Sequence, residues 1–334
     1  MSFKIIILTV LKKGEPPKLR ENMKFIEDFK EDDRILGHYF CCQKHSLKTK
    51  TGKTYYSLKL QDKTGTIDGK VWELNNDIQS FDEKDYIKID GVVLLYQNSL
   101  QLKISKIRKS SEEEYDEKDY IPTTDKNVDT LSQDLEKLIA SVNPPIKTLL
   151  EDILLKDDFV AKHFKTHSAA KTLHHSYMGG LFEHVVSVGQ LCDFLSSRYK
   201  HVNRDVLICA ALLHDIGKVY ELSPFPGNDY TDEGELIGHI VIGVEMVSRA
   251  AAKIGIPKEE LNLIKHCIIS HHGELEFGSP QKPKTIEAMI LHAADTTDSK
   301  IKMFEEALDK SKNTTWIGYH QGLQRNMRRS AAKN

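Results

Sequence analysis

The spacing of apolar and polar residues changes part-way along this chain. Between about Ile35 and Lys109 they alternate with a period of two, as in Ser57-Leu58-Lys59-Leu60, through the runs "ILGHYFCCQKHSLKTK", "TYYSLKLQDKTGTIDGKVWE" and "YIKIDGVVLLYQNSLQLKISKI". Alternation of this kind predicts half-buried β-strands, because successive side chains on a strand face opposite ways. Turn signals at Thr51-Gly52-Lys53, Lys63-Thr64-Gly65 and Gln97-Asn98-Ser99 divide the runs. About five strands in ~75 residues predict a small closed barrel, with a helical turn near Asn75 to Phe81. The opening "FKIIILTVL" reads as a further strand. It is far shorter than the ~20 apolar residues of a membrane span, and no small-residue cleavage site follows it.

From Thr130 onward the period lengthens to that of amphipathic helices, in "LSQDLEKLIASV", "LFEHVVSVGQLCDFLSSRY", "RDVLICAALLHDIGKV" and "LIGHIVIGVEMVSRAAAKIG". Breaks at Asn143-Pro144-Pro145, Gly179-Gly180, Pro224 to Gly227, Gly255 to Pro257 and Gly278 to Pro283 predict roughly six to eight helices in an all-α domain. The intervening "SSEEEYDEKDYIPTTDKN", Ser110 to Asn127, is acidic and aperiodic and contains Pro122, which reads as a linker. The expected organisation is α+β and multidomain. It comprises an N-terminal strand or extension over 1–17, a barrel domain over 18–110, an acidic linker over 111–129, a helical domain over 130–310 and a basic C-terminal tail over 311–334.

Composition narrows the function classes. A chain of 334 residues has room for two cores. With 47 Lys and Arg against 49 Asp and Glu it has no basic bulk, so a nucleic-acid site must come from local charge. Arg34 to Ser110 does lean positive, 14 Lys and Arg against 8 Asp and Glu. Lys44, Lys48, Lys50 and Lys53 cluster on one predicted hairpin and suit phosphates. Tyr55 and Trp72, among the aromatics Phe40, Tyr55, Tyr56, Trp72 and Tyr96, suit stacked bases of a single strand. The competing reading places most of those rings in the barrel core. Five cysteines (Cys41, Cys42, Cys192, Cys209, Cys267), odd in number and without CxxC spacing, point to a reducing compartment and thus the cytoplasm.

The chemistry concentrates in the second half. "GGLFEHVV" gives His184, "LLHDIGK" gives His214 and Asp215, "LIGHIVIG" gives His239, "IISHHGE" gives His271 and His272, and "ILHAADTTD" gives His292 and Asp295. Each follows an apolar stretch, so each is presented from a helix into a shared interior. One such histidine is ordinarily a hydrogen-bonded core residue. Six or more imidazole and carboxylate donors on separate buried-patterned segments are better satisfied by a divalent ion. The adjacent His-Asp pair would let one carboxylate bridge two ions, the arrangement of two-metal hydrolysis.

The series His184, His214-Asp215, Asp295 resembles the signature of the HD-domain metal-dependent phosphohydrolases, and His239 with His271-His272 matches its extended, two-metal form. More narrowly, "KTLHHSYMGGLFEHVVSV", "LLHDIGKVYEL", "GHIVIG" and "SHHGELEFGSPQKPKTIEAMILHAADTTDSK" resemble the YhaM family of 3′-5′ exoribonucleases, in which an OB-type barrel precedes the HD domain. The resemblance runs from about Lys18 to Asp309. It rests less firmly on the barrel, mainly on "LKLQDKTGTIDGKVW", and leaves out the first ~17 residues and the basic "QRNMRRSAAKN".

That resemblance implies an OB-type barrel followed by a helical HD bundle, and a metal-dependent exonuclease that degrades single-stranded RNA to nucleoside 5′-monophosphates, with single-stranded DNA a second substrate class. It implies His184, His214, Asp215 and Asp295 as primary metal ligands, Asp215 as the bridge, and His239, His271 and His272 at a second ion. A His/Asp donor set suits Mn²⁺, Fe²⁺ or Co²⁺, and the resemblance favours two Mn²⁺. Lys218, three residues after Asp215, is expected at the phosphate. Gly217 is expected to admit the substrate backbone. His174 and His175 are expected at the substrate, as proton donor to the leaving oxygen, or behind the ligands; His292 reads as helix packing. The barrel makes RNA a partner, a homo-oligomer is allowed, and no membrane is expected. A cyclic-dinucleotide phosphodiesterase is disfavoured because "GELEFGSPQKPKT", without a GYP element, follows the double histidine. A nucleotide hydrolase would not need the barrel, and a pure binding factor would not keep the full donor set.

Overall fold

The computed structural model describes residues 23–330 apart from 98, 172–174, 312 and 314. The opening run "FKIIILTVL", Asn98 of the third turn signal and His174 lie outside the described residues. The chain divides into two compact units between Tyr120 and Ile121.

In the first unit five strands, β1 (Arg34–Lys48), β2 (Thr54–Asp62), β3 (Gly65–Val71), β4 (Tyr86–Tyr96) and β5 (Ser99–Lys109), close into a barrel of order β1-β2-β3-β5-β4. All pairings are antiparallel except β3 with β5. The period-two pattern sorts the faces: Ile35, Tyr39 and Cys41 of β1, Leu58 and Leu60 of β2, Ile87 and Ile89 of β4 and Leu102 and Ile104 of β5 form one core. A bulge in β1 between Cys41 and Gln43 and another at Asp90/Gly91 bend the sheet for closure. At Gly91 any Cβ would sit 2.7 Å from the Lys103 carbonyl, so the backbones of β4 and β5 meet there only because the residue is glycine.

One expectation for this unit is narrowed and one corrected. Asn75 to Phe81 holds a single hydrogen-bonded turn, Ile78 N–H to the Asn75 carbonyl at 3.1 Å, and does not go on into a helix. Its backbone bonds to β5 instead, Gln79 donating to the Ile107 carbonyl at 2.9 Å and Ile107 to that of Asp77 at 3.0 Å, while Phe81 enters the barrel core. The acidic stretch after β5 is not a free linker. Arg108 Nη1 pairs with Glu114 at 2.7 Å, Tyr115 stacks on Tyr86 with centroids 3.9 Å apart, and Tyr120 is buried with its carbonyl accepting from Gln61 at 3.0 Å. The tyrosines spaced among the acids supply the apolar contact that the charge pattern hid.

The second unit is helical: α1 (Val128–Ala140), α2 (Pro144–Glu151), α3 (Asp158–Phe164), α4 (Gly180–Arg198), α5 (Arg204–Leu213), α6 (Lys218–Glu221), α7 (Asp232–Ile237), α8 (His239–Ile254), α9 (Lys258–Ser270) and α10 (Ile286–Lys310). That is more than six to eight, because α3, α6 and α7 are too short to leave a periodic trace. Side-chain caps start several of them: Asn127 for α1, Asn203 for α5 and Thr285 for α10 each accept from backbone N–H groups of the first turn. Helix α5 is buried from Val206 to Leu213 and lies against α2, α4, α9 and α10, so it is the centre of the bundle. Beyond α10 the chain is not a plain tail: it forms a hairpin, β6 (Trp316–His320) with β7 (Arg325–Arg328), anchored by buried Leu323 and Met327.

Candidate metal centre

Helix α5 explains why His214 and Asp215 follow an apolar run. Its eight buried residues fix the helix in the core, so the next two side chains emerge at core depth, 0% and 2% exposed. Four other segments aim donors at the same point: His184 from the first turns of α4, His239 from the first residue of α8, His271 and His272 from the end of α9, and Asp295 from α10. His184 Nε2 lies 3.2 Å from His214 Nε2, 3.3 Å from Asp295 Oδ1 and 3.6 Å from Asp215 Oδ2. The other oxygen, Asp215 Oδ1, lies 3.5 Å from His239 Nε2 and 3.6 Å from His271 Nε2. Beside a further cluster behind His184, His175/His184/Asp298, the donors thus fall into two groups, His184/His214/Asp215 and His239/His271/His272. Asp215 stands between them with one oxygen toward each.

The hydrogen bonds behind the donors fix their tautomers. Nδ1 of His184 faces Asp298 Oδ2 at 2.7 Å, that of His214 the Ala211 carbonyl at 2.8 Å, that of His239 Glu221 Oε1 at 2.8 Å, that of His271 the Ile268 carbonyl at 2.6 Å and that of His272 the Phe277 carbonyl at 3.0 Å. Every acceptor is an oxygen, so each Nδ1 carries a proton and each Nε2 turns inward. Among the described residues Asp215 Oδ1 and His239 Nε2 are buried and lack a hydrogen-bond partner. Buried acceptors facing one another without donors are costly, and a cation removes that cost.

Electrostatics agrees. Burial opposes the charge on Asp215, yet Lys218, His214, His239 and His271 hold its carboxyl well below the usual range. Burial, then repulsion from His214, holds His271 well below the usual imidazole value, so it is neutral and ready to ligate. At His184 burial is outweighed by the Asp295 and Asp298 carboxylates, which push the imidazole up to about 10. The local field therefore favours positive charge where the Nε2 atoms meet. The donor set and its field fit divalent ions.

The remaining expected residues are placed as follows. Lys218 donates to Asp215 Oδ2 at 2.6 Å and its side chain is 15% exposed. His175 is corrected as a proton donor to the leaving group: it is 2% exposed, Nε2 faces Asp298 at 3.2 Å and Nδ1 faces Tyr177 Oη at 2.9 Å, which puts it behind His184. Gly217 is corrected too. A Cβ there would lie 2.0 Å from the His239 carbonyl and 2.8 Å from Gly243 N, so the glycine admits α8 and not a substrate. Gly217→Ala is expected to push α8 outward, cost about 1–3 kcal/mol as overpacking and reduce activity by displacing His239. Urea melts with an unchanged midpoint would refute this. His292 Nδ1 bonds to the His271 carbonyl at 2.8 Å and steadies the α9 end.

Asp298 escapes the motif reading. It accepts from His184, His175 and the Ser187 hydroxyl, and those bonds hold it well below the usual carboxylate value although burial opposes. Beyond His175 the network continues through Tyr177 Oη to Glu183 Oε2 at 2.9 Å, and Glu183 pairs with Lys302 at 3.1 Å and Thr124. Of these, His175, Glu183, Ser187, Asp298 and Lys302 line a cavity of about 520 Å³ that also touches Asn127, Asp134 and Gln190.

On the barrel, Tyr55 and Trp72 stack on each other with centroids 4.6 Å apart, Trp72 being 40% exposed. Lys48, Lys50 and Lys53 are exposed nearby on β1 and the β1–β2 turn. Lys44 differs, its ammonium lying 4.1 Å over the Phe81 ring and bonded to the Phe81 carbonyl. Phe40 belongs to a core and the half-buried Tyr56 packs against one, whereas Tyr96 is exposed.

A closed five-stranded barrel ahead of a helical unit with this His/Asp centre defines an OB-fold protein joined to an HD domain. Residues 43–109 match the family model of the OB-fold nucleic acid binding domain and residues 181–300 that of the HD domain. The chain is 38% identical over 264 residues to the 3′-5′ exoribonuclease YhaM of Geobacillus sp. (strain WCH70), spanning 78% of this chain and 81% of that protein. Among solved structures it is similar to the second OB-fold domain of replication protein A from Methanococcus maripaludis (20% identity, 26% of this chain, 92% of that one, TM-score 0.22). It is also similar to an OB domain from Thermoplasma acidophilum (18% identity, 27% and 85%, TM-score 0.20). The chain belongs to the YhaM family of 3′-5′ exoribonucleases.

Proposed function

We propose that this protein is a metal-dependent 3′-5′ exoribonuclease that releases nucleoside 5′-monophosphates from single-stranded RNA, holding two divalent ions, Mn²⁺ foremost. The observation that carries the reading is the position of Asp215, one oxygen toward His184 and His214 and the other toward His239 and His271. His184, His214, Asp215 and Asp295 would hold one ion, and His239, His271, His272 and Asp215 the other. When bound, the ions supply Lewis-acid activation of water and offset charge on the phosphoryl oxygens. Lys218 keeps a cation beside Asp215 and is the side chain we assign to the scissile phosphate. His175, through Asp298, positions His184. The half-buried face of the barrel supports binding of the single strand ahead of cleavage.

The test is a 5′-labelled single-stranded RNA incubated with the protein and Mn²⁺. Stepwise shortening from the 3′ end with release of mononucleotides, stopped by EDTA, is expected. A single internal cut, or turnover of cyclic dinucleotides alone, would exclude the reading. A single-stranded DNA of the same sequence, run beside it, decides whether DNA is a substrate.

The barrel has its own test. Converting Lys48, Lys50 and Lys53 to alanine is expected to weaken RNA binding and to lower the slope of log affinity against log salt by about 2, at roughly 0.7 per phosphate contact on a single strand. An unchanged slope would remove these lysines from the interface.

A further inference from the structure

We infer that the C-terminal hairpin is a second single-strand RNA platform, separate from the barrel and made by Trp316, Tyr319 and Arg328. Strand pairing sets Trp316 opposite Arg328 and Tyr319 opposite Asn326. Opposed residues on antiparallel strands share a face, and Asn326 and Arg328, two apart, share one as well. All four therefore lie on one side. Trp316 and Tyr319 are three apart and would point opposite ways on a regular strand. The bulge between Trp316 and Gly318, where Gly318 has φ +106°, brings both rings to the same face.

The opposite side is taken by Met327, 1% exposed, and the hairpin is tied down where Arg329 bonds to the Leu308 carbonyl. The outer rings remain in solvent, Trp316 59% and Tyr319 65% exposed. Charge selects the occupant. From Ser311 to Asn334 the chain has five Lys and Arg and no Asp or Glu, against a net charge of −2 for the whole, and Arg328 is exposed and lacks a carboxylate partner among the described residues. Exposed rings beside the exposed Arg328 guanidinium match stacked bases on a polyanion, and a fully acid-free segment does not suit a copy of itself.

The hairpin also lies along the helix that carries Asp295. Its turn at Gly322 closes on Met303, and its base on Leu308. At 1.5 Å per residue it therefore runs from ~12 Å to ~20 Å beyond Asp295 along α10. At ~3.4 Å per stacked nucleotide this is about the fourth to sixth nucleotide from the cleaved end. The placement rests on the exonuclease reading; the platform itself does not.

The experiment uses the full-length Trp72→Phe variant, which leaves Trp316 as the sole tryptophan of the two and whose own RNA affinity, read by anisotropy, is the baseline for the emission signal. In EDTA it is titrated with a single-stranded RNA 20-mer, and binding is followed in parallel by anisotropy of the labelled RNA. Trp316 emission is expected to fall with the same midpoint as the anisotropy rise. Trp316→Ala and Arg328→Ala, each in the otherwise native chain, should weaken binding about tenfold; Trp316→Phe should restore it. Constant emission while the anisotropy reports binding, or full affinity in both alanine variants, overturns the platform. Quenching by raised protein concentration without RNA assigns the face to self-association and overturns it as well. If the native enzyme shortens RNA from its 3′ end while Trp316 stays silent, only the platform fails. If RNA is bound with quenching but never shortened, only the exonuclease reading fails.

Discussion

Asp215→Asn should lower the rate of RNA hydrolysis at least about a thousandfold, or ~4 kcal/mol in the barrier, with RNA binding by the barrel retained. The size of the effect follows from geometry. Asp215 serves two sets of imidazole Nε2 atoms through different oxygens, at 3.5–3.6 Å on each side. An amide has one acceptor oxygen, so its NH₂ must face one set and present hydrogens where a cation belongs. The same substitution removes the negative partner of Lys218, whose ammonium is 2.6 Å from the carboxylate and mostly shielded from water. An ammonium left so buried without its counter-charge destabilises the fold by a few kcal/mol. A thermal melt must therefore accompany the assay, and RNA anisotropy in EDTA separates lost catalysis from lost binding. Substantial hydrolysis by a folded Asp215→Asn variant would show that Asp215 is not the bridge.

How far the sequence discloses this arrangement depends on whether the signal is local. Alternation in β2 and periodicity in α5 are local properties, and both elements form where those patterns stand. The donors His184, His214, Asp215, His239, His271, His272 and Asp295 stand out because polar groups inside apolar runs are conspicuous. What supports them does not stand out. Asp298 lies in a polar stretch, "DTTDSK", and looks like a solvated surface acid. Its one available sign was its spacing, three after Asp295 and hence on the same helix face. Glu183 precedes His184 directly, yet its partners Tyr177, Thr124 and Lys302 come from distant segments. Gly217 misleads for a related reason: the backbone it admits, that of α8, is more than twenty residues away. The hairpin hid behind a basic composition, since its pairing depends on a bulge and on two buried apolar residues among polar ones.

Asp298→Asn then tests whether that hidden layer matters. The carboxylate takes hydrogen bonds from His184 Nδ1, His175 Nε2 and the Ser187 hydroxyl. It thereby fixes the His184 ring with Nε2 inward and increases its electron donation. An asparagine can still accept through one oxygen, so the ring is not released, but the negative charge is gone and the NH₂ must turn toward one of three donors. Loss of such a supporting partner typically costs 10–100-fold in metal affinity. Activity at limiting Mn²⁺ should fall by that factor and recover most of the way when Mn²⁺ is raised a hundredfold. Asp215→Asn should show no such recovery, because it removes a donor and not its support. An Asp298→Asn enzyme with the native Mn²⁺ dependence would refute the positioning role. A loss that excess Mn²⁺ cannot relieve would instead mean that Asp298 contacts an ion directly.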